Sequence, residues 1–173
     1  MPPAVQPVVG AMLSVEIRAA IDREVAKYPP GRAQSAVMSA LRIAQVEKGW
    51  LSEDVMRFIA DYLSMPTISV YEVATFYNMY ETDPVGRFKI TLCTNISCML
   101  MGAPEIAAHL KARLDVDFGE TTLDNLFTLK EGECMGACGD APLCLVNNHR
   151  MEGGLTIEKV DALLDELKNR EGA

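Results

Sequence analysis

Arg87-Phe-Lys-Ile-Thr-Leu-Cys93-Thr-Asn-Ile-Ser-Cys98 is the stretch on which the fold turns. Phe88, Ile90 and Leu92 alternate with Arg87, Lys89 and Thr91, a two-residue period that predicts a half-buried strand ending at Cys93. A loop holding Cys98 is expected next, then a helix near 102–114 with Ile106, Leu110 and Leu114 inward. Leu126-Phe-Thr-Leu-Lys130 reads as a second strand and Leu143 to Val146 as a third. Asn147-Asn148 tolerates positive φ and suits a tight hairpin turn into a short returning strand near His149 to Met151. A last helix, about 156–169, carries Ile157, Val160, Leu164 and Leu167. The order β-α-β-β-β-α points to a mixed sheet covered by helices.

Upstream of Asp83-Pro-Val-Gly86 the pattern is helical. Ser14 caps a stripe of Ile17, Ile21 and Val25, which Tyr28-Pro-Pro-Gly31 stops. The segment 32–47 places Val37, Leu41 and Ala44 on one face, with Gly49 as its C-terminal glycine. Ser52, followed by Glu53 and Asp54, opens a third helix with Val55, Phe58, Ile59 and Tyr62 inward. Pro66 breaks that pattern, and Ser69-Val-Tyr-Glu72 reads as a capping box for a fourth, burying Val70, Val73, Ala74 and Tyr77. The expected class is α+β, with a four-helix bundle over 14–83 ahead of a mixed-sheet domain over 84–173. Residues 1–13 read as a short flexible leader, since Met1-Pro-Pro-Ala-Val-Gln-Pro7 lacks the basic and apolar regions of a secretory signal.

The 173 residues carry 16 basic and 24 acidic side chains, a formal charge of −8. Residues 1–83 hold 7 basic and 10 acidic groups, and 84–173 hold 9 and 14, so neither part offers the positive face that nucleic acid requires. No run approaches the roughly 18 apolar residues of a membrane span.

All five cysteines fall between residues 93 and 144. Four form two close pairs, Cys93/Cys98 and Cys134/Cys138, each following a predicted strand. Ligands of open α/β sheets lie beyond the carboxyl ends of strands, so the two loops can meet over one site. Gly136 and Gly139 flank Cys138 and let backbone amides approach a negative centre. Disulfides are disfavoured by the odd count and the missing export signal. No C-x-x-C dithiol motif is present. The residues leave two metal chemistries open, a four-cysteine zinc site that stabilises an interaction module and an iron–sulfur cluster. Unequal spacing, the soft neighbours Met99, Leu100, Met101 and Met135, and the match of four thiolates to a 2Fe-2S cluster favour the second. Unrelated buried thiols and the thiols of a thiol–disulfide enzyme are the remaining alternatives for these cysteines.

Val73-Ala-Thr-Phe-Tyr77, Cys93-Thr-Asn-Ile-Ser-Cys98 and Glu133-Cys-Met-Gly-Ala-Cys138-Gly-Asp-Ala-Pro142 together resemble the 24-kDa subunit family of respiratory NADH dehydrogenase, complex I. The likeness covers about residues 14–168. It implies a thioredoxin-like 2Fe-2S ferredoxin domain behind an N-terminal helical extension, with the cluster on Cys93, Cys98, Cys134 and Cys138. It also implies a partner flavoprotein carrying FMN and binding NADH, further iron–sulfur subunits, and a place in a peripheral arm at the cytoplasmic face of the inner membrane. The related NAD-linked hydrogenases and formate dehydrogenases use similar diaphorase subunits. No nucleophile–base pair, dinucleotide fingerprint or phosphate loop is evident, so NADH oxidation is expected to need the partner.

Cys144, in a predicted strand, departs from the four-cysteine pattern and reads as an apolar filler. His109 reads as an exposed or half-buried helix residue, His149 as a hairpin neighbour and Trp50 as core or interface. Tyr71, Phe76, Tyr77 and Tyr80 read as internal packing of the helical part, with a partner surface as the alternative. Asp161, Asp165 and Glu166 read as a solvated helix face. Glu131, Glu133 and Asp140 place negative charge around the second cysteine pair.

Overall fold

The computed structural model describes residues 13–170, so the leader read over 1–13 lies, Leu13 apart, outside the described residues. The chain forms two compact units that meet in sequence between Pro84 and Val85.

The first unit is built from α1 (Val15–Val25), a 3₁₀ turn (Ala33–Ala36), α2 (Val37–Lys48), α3 (Glu53–Tyr62) and α4 (Thr67–Phe76). Ser14 caps α1 by accepting from Ile17 N, and Ser52 caps α3 by accepting from Val55 N. Each satisfies one of the amides that a helix start leaves unpaired. Gly49 closes α2 at φ 81°, a conformation open to glycine. Ile21, Leu41, Leu51, Met56, Ile59 and Leu63 fill the core between the helices. Polar ties fix the pieces: Tyr62 Oη donates to Asp22 at 2.6 Å, Gln45 Nε2 donates to Met79 O at 2.9 Å, and Tyr80 Oη donates to Met38 O at 2.8 Å.

The expected capping box is corrected. Pro66 itself occupies the cap position of α4, and Ser69 is already the third helical residue, its N–H donating to Pro66 O at 3.0 Å. Proline presets φ for a helix start and needs no N–H there, so the helix begins as soon as Pro66 allows it. Val70 and Ala74 are buried, whereas Tyr77 lies past the helix end in extended conformation. Within the aromatic run Tyr80 is buried and Tyr71 packs on the core, but Phe76 is 79% exposed. Internal packing therefore fails as an account of Phe76, because the helix ends there and turns the ring outward.

The second unit contains β1 (Phe88–Cys93), α5 (Ile96–Leu100), α6 (Ala103–Leu114), β2 (Phe127–Gly132), β3 (Cys144–Val146), β4 (Arg150–Glu152) and α7 (Ile157–Asn169). The sheet order is β2-β1-β3-β4. β1 and β2 are parallel, pairing Phe88 with Phe127 through Cys93 with Gly132, and β3 and β4 add antiparallel. A parallel pair needs a crossover connection, which α5 and α6 supply. Asn147 and Asn148, at φ 50° and 64°, make the expected hairpin. Ile90, Leu92, Leu110, Phe127, Leu129 and Leu164 dominate the core.

β1 is not half-buried. Lys89 is only 4% exposed. Its register partner Thr128 is buried too, with Oγ1 accepting from Gly86 N at 2.6 Å, so the polar-looking face is closed at Lys89, while Thr91 is half-buried and Arg87, ahead of the strand, exposed. The acids of α7 are also more than a solvated face. Asp161 Oδ1 accepts from Arg113 Nε at 3.1 Å and lies 2.9 Å from His109 Nε2, which is half-buried as expected. Glu166 holds Arg150 through two bonds of 2.7 and 2.8 Å.

Candidate functional site

Cys93 ends β1, where its N–H donates to Leu143 O at 3.0 Å and the next amide, Thr94 N, donates to Gly132 O at 3.0 Å. The strand end is thereby clamped between the end of β2 and the approach to β3. Asn95 then turns the chain into α5, its Oδ1 accepting from Ile96 N at 2.7 Å. Cys98 is the third residue of this short helix and is buried. The expectation of a loop is corrected here: Asn95 is a strong helix-capping residue, and that signal stood in the sequence.

The second pair follows β2. Cys134 lies in the loop after Gly132, and Cys138 opens the 3₁₀ turn Cys138–Asp140. Gly136, at φ 72°, directs its N–H to Cys134 Sγ at 3.4 Å. The expectation of amides near the cysteines holds at Gly136. Cys93 Sγ donates to Glu133 O at 3.7 Å. The backbone carbonyls of Leu143 and Gly132 thus fix the end of β1 and that of Glu133 the Cys93 thiol, and carbonyls carry no signature in sequence.

Cys93, Cys98, Cys134 and Cys138 line one small pocket, partly open to solvent, with Met135 and Leu143 among its other walls. Cys93 and Cys98 are buried, and Cys134 and Cys138 are exposed. The Cys98 thiol is pushed up chiefly by burial and next by its hydrogen bond to Cys93, with Leu143 backbone opposing and Cys93 and Cys138 charge adding. Such a thiol ionises when a metal claims its sulfur.

Among the described residues, no three His, Cys, Asp or Glu side chains are grouped to hold a single ion. A tetrahedral zinc needs all its sulfurs about 2.3 Å from one point. Four thiols around one pocket match the full protein ligand set of a 2Fe-2S cluster.

The expected apolar shell is corrected in part. Met135 lines the cavity, but Met99, Leu100 and Met101 are 50, 76 and 61% exposed. Neighbours in sequence on a helix point in different directions, so adjacency to Cys98 does not place a side chain over it. Cys144 lies outside this cavity, in β3, packed in the main core of the unit. Burial and then the Glu152 charge push its thiol up to about 12. His149 stays in the hairpin, with Nδ1 2.7 Å from Asn147 O, and Trp50 is partly buried after α2. Glu133 and Asp140 are exposed beside the second pair, and Glu131 lines a neighbouring open groove that holds no cysteine.

The model of the thioredoxin-like [2Fe-2S] ferredoxin family matches residues 21–168. An NADH-quinone oxidoreductase subunit of Rhizobium meliloti (strain 1021) is 43% identical over 155 residues, 90% of either chain. The corresponding NADH-quinone oxidoreductase subunit of Rickettsia bellii (strain RML369-C) is 40% identical over 146 residues, 84% of this chain and 87% of that one. An NAD+-reducing [NiFe]-hydrogenase in the H2-reduced state superposes with a TM-score of 0.67 at 22% identity, over 77% of this chain and 22% of that chain. That likeness speaks to fold alone, and the chain spans about a fifth of the hydrogenase chain. The cysteine cavity at the strand ends, the mixed sheet and these relatives converge: the chain belongs to the thioredoxin-like [2Fe-2S] ferredoxin family, among the NADH-quinone oxidoreductase subunits of that fold.

Proposed function

We propose that this chain is the electron-transfer subunit of an NADH-quinone oxidoreductase, with Cys93, Cys98, Cys134 and Cys138 as the ligands of a 2Fe-2S cluster. The observation that carries the reading is the convergence of both cysteine pairs on one cavity beyond the ends of β1 and β2. Bound there, the cluster supplies reversible one-electron chemistry. The chain's own residues set its surroundings. Cys93 and Cys98 form the dry wall, and Cys134 and Cys138 the wall that a redox partner can reach. The Gly136 N–H stabilises negative charge on the Cys134 sulfur.

The partner is a flavoprotein subunit that binds NADH and carries FMN, alongside further iron–sulfur subunits. Residues 14–83 serve as the helical extension and 84–173 as the ferredoxin domain. No helix among the described residues is long and apolar enough to cross a membrane. The chain takes its place in a peripheral arm at the cytoplasmic face of the inner membrane through its partners. A diaphorase role in a hydrogenase or formate dehydrogenase is the alternative, and the identity of 43% to a quinone oxidoreductase subunit favours the first reading.

The experiment uses the purified full chain with its cluster, alone and with the flavoprotein. The chain alone is coloured and reducible by dithionite but leaves NADH unoxidised, and with the flavoprotein its cluster is reduced by NADH. NADH turnover by the flavin-free chain contradicts the division of labour.

A further inference from the structure

The place of Cys138 depends on a segment that carries no metal donor. Cys138 opens a 3₁₀ turn in which Asp140 N donates to Ala137 O at 3.0 Å and Ala141 N to Cys138 O at 3.4 Å. The loop after β4 fastens this turn. Gly154 N donates to Asp140 O at 2.6 Å, and Leu155 N donates to Pro142 O at 2.9 Å. Next to those bonds, Gly153 lies flat against Asp140. A Cβ on Gly153 would stand 2.7 Å from Asp140 Cβ and 2.9 Å from Asp140 O. Unbonded carbons rest about 3.5–4.0 Å apart, so nothing larger than hydrogen fits. The loop has little freedom to withdraw. Lys159 Nζ, on α7, donates to Gly154 O at 2.9 Å and to Gly153 O at 3.4 Å, and Thr156 caps the same helix.

We infer that Gly153 is a positioning residue for Cys138. Bare of a side chain, it lets the Cys138–Asp140 turn seat against the loop after β4, and that seat sets the fourth thiol relative to the other three. The inference rests on the four-cysteine reading above. A methyl group at 153 must displace the Asp140 backbone, two residues from Cys138. Cys93 and Cys98 are fixed by β1 and α5, and Cys134 follows β2, so the displacement reaches one ligand of four.

Gly153→Ala in the full chain tests this, with Gly119→Ala as control. Gly119 sits in the same unit at φ 89° with open space around a Cβ, so alanine there strains the backbone without touching the cysteine turn. Iron and sulfide are counted, the reduced protein's electron paramagnetic resonance spectrum is recorded, and cluster loss to a chelator is timed. We expect Gly153→Ala to shift the g-values and to lose its cluster about tenfold faster, the low end of what supporting contacts contribute to metal affinity. Gly119→Ala keeps the parent's spectrum and rate. An unshifted spectrum and parent-like loss rate in Gly153→Ala overturn the inference, as does an equal change in Gly119→Ala, which assigns the effect to general destabilisation. If Gly153→Ala does not fold, Gly153→Ala/Asp140→Gly removes the Cβ–Cβ contact. A folded double variant whose spectrum is shifted from that of Asp140→Gly alone supports the inference; one that stays unfolded or matches Asp140→Gly overturns it. If the unaltered chain holds zinc or no cluster, the function proposed above fails instead, so the two failures are distinguishable.

Discussion

Replacing Cys144 by serine separates the fifth cysteine from the other four. Cys144 is 1% exposed in β3, paired with Leu92 and Glu152 across the sheet. Burial, aided by the Glu152 charge, raises its thiol from 9.0 to about 12. A thousandfold loss of acidity sets the thiolate there at roughly 4 kcal/mol less favourable than in water. It therefore stays a neutral filler at physiological pH. A serine hydroxyl in the same place lacks a ready partner, and the substitution costs about 1–3 kcal/mol. The pH dependence has a definite sign. The unfolded chain releases the Cys144 proton near pH 9 while the folded chain keeps it to about 12, so the contribution is complete below pH 9 and falls above it. The slope is about 1.4 kcal/mol per pH unit, and Cys144→Ser lacks it. Urea unfolding of the cluster-free chain, reduced and followed by far-UV circular dichroism, reads both effects. Between pH 9 and 10 the gap between parent and variant narrows, before Tyr62 and Tyr80, both raised to about 12 from 10.0, contribute from the first unit. The loaded variant keeps the parent's iron count and spectrum. Loss of the cluster, or a stability cost below about 0.5 kcal/mol with an unchanged alkaline slope, refutes the reasoning.

Ser52→Ala removes the acceptor of the Val55 amide at the start of α3 and lowers stability by about 1 kcal/mol. Trp50 fluorescence during urea unfolding reads it two residues from the substitution. Neutralising Glu133 or Asp140 beside the second cysteine pair raises the cluster's potential, by roughly 10–20 mV for an exposed charge worth a few tenths of a kcal/mol. A redox titration that finds no shift, or a fall, counts against that idea. Arg150→Ala lowers the thermal midpoint at neutral pH because it leaves Glu166 with Arg170 alone, and Arg150 is the main partner that holds the Glu166 carboxyl below its ordinary value. A lowered carboxyl stabilises above its unfolded pKa of 4.5 and ceases to as pH falls through the folded value, so parent and variant converge in acid.

The sequence made the periodic elements legible. Ser14 and Ser52 cap the helices they precede, Asn147-Asn148 turns the expected hairpin, and Ile106, Leu110 and Leu114 face inward on α6. The misses share a physical cause, since sequence reports polarity and order along the chain while burial depends on what arrives from elsewhere. Lys89 is closed over because its strand is central and Thr128 lies beside it. Phe76 is exposed because its helix ends there. Cys98 sits on a helix too short to show a period, and Met99, Leu100 and Met101 face outward from it and the turn that follows. That the two cysteine pairs gather at one pocket was legible. The backbone that holds them, from the Leu143 and Gly132 carbonyls to the seat of Asp140 on Gly153, was not, because carbonyls and bare glycines recur throughout any sequence.

The central claim is that Cys93, Cys98, Cys134 and Cys138 together hold one 2Fe-2S cluster. It is tested most directly by counting iron, acid-labile sulfide and zinc on one sample of the full chain and recording the electron paramagnetic resonance spectrum after dithionite reduction. Two irons and two sulfides per chain are expected, with a one-electron, spin-half signal, all lost when any of the four becomes alanine. One zinc per chain with no such signal contradicts it.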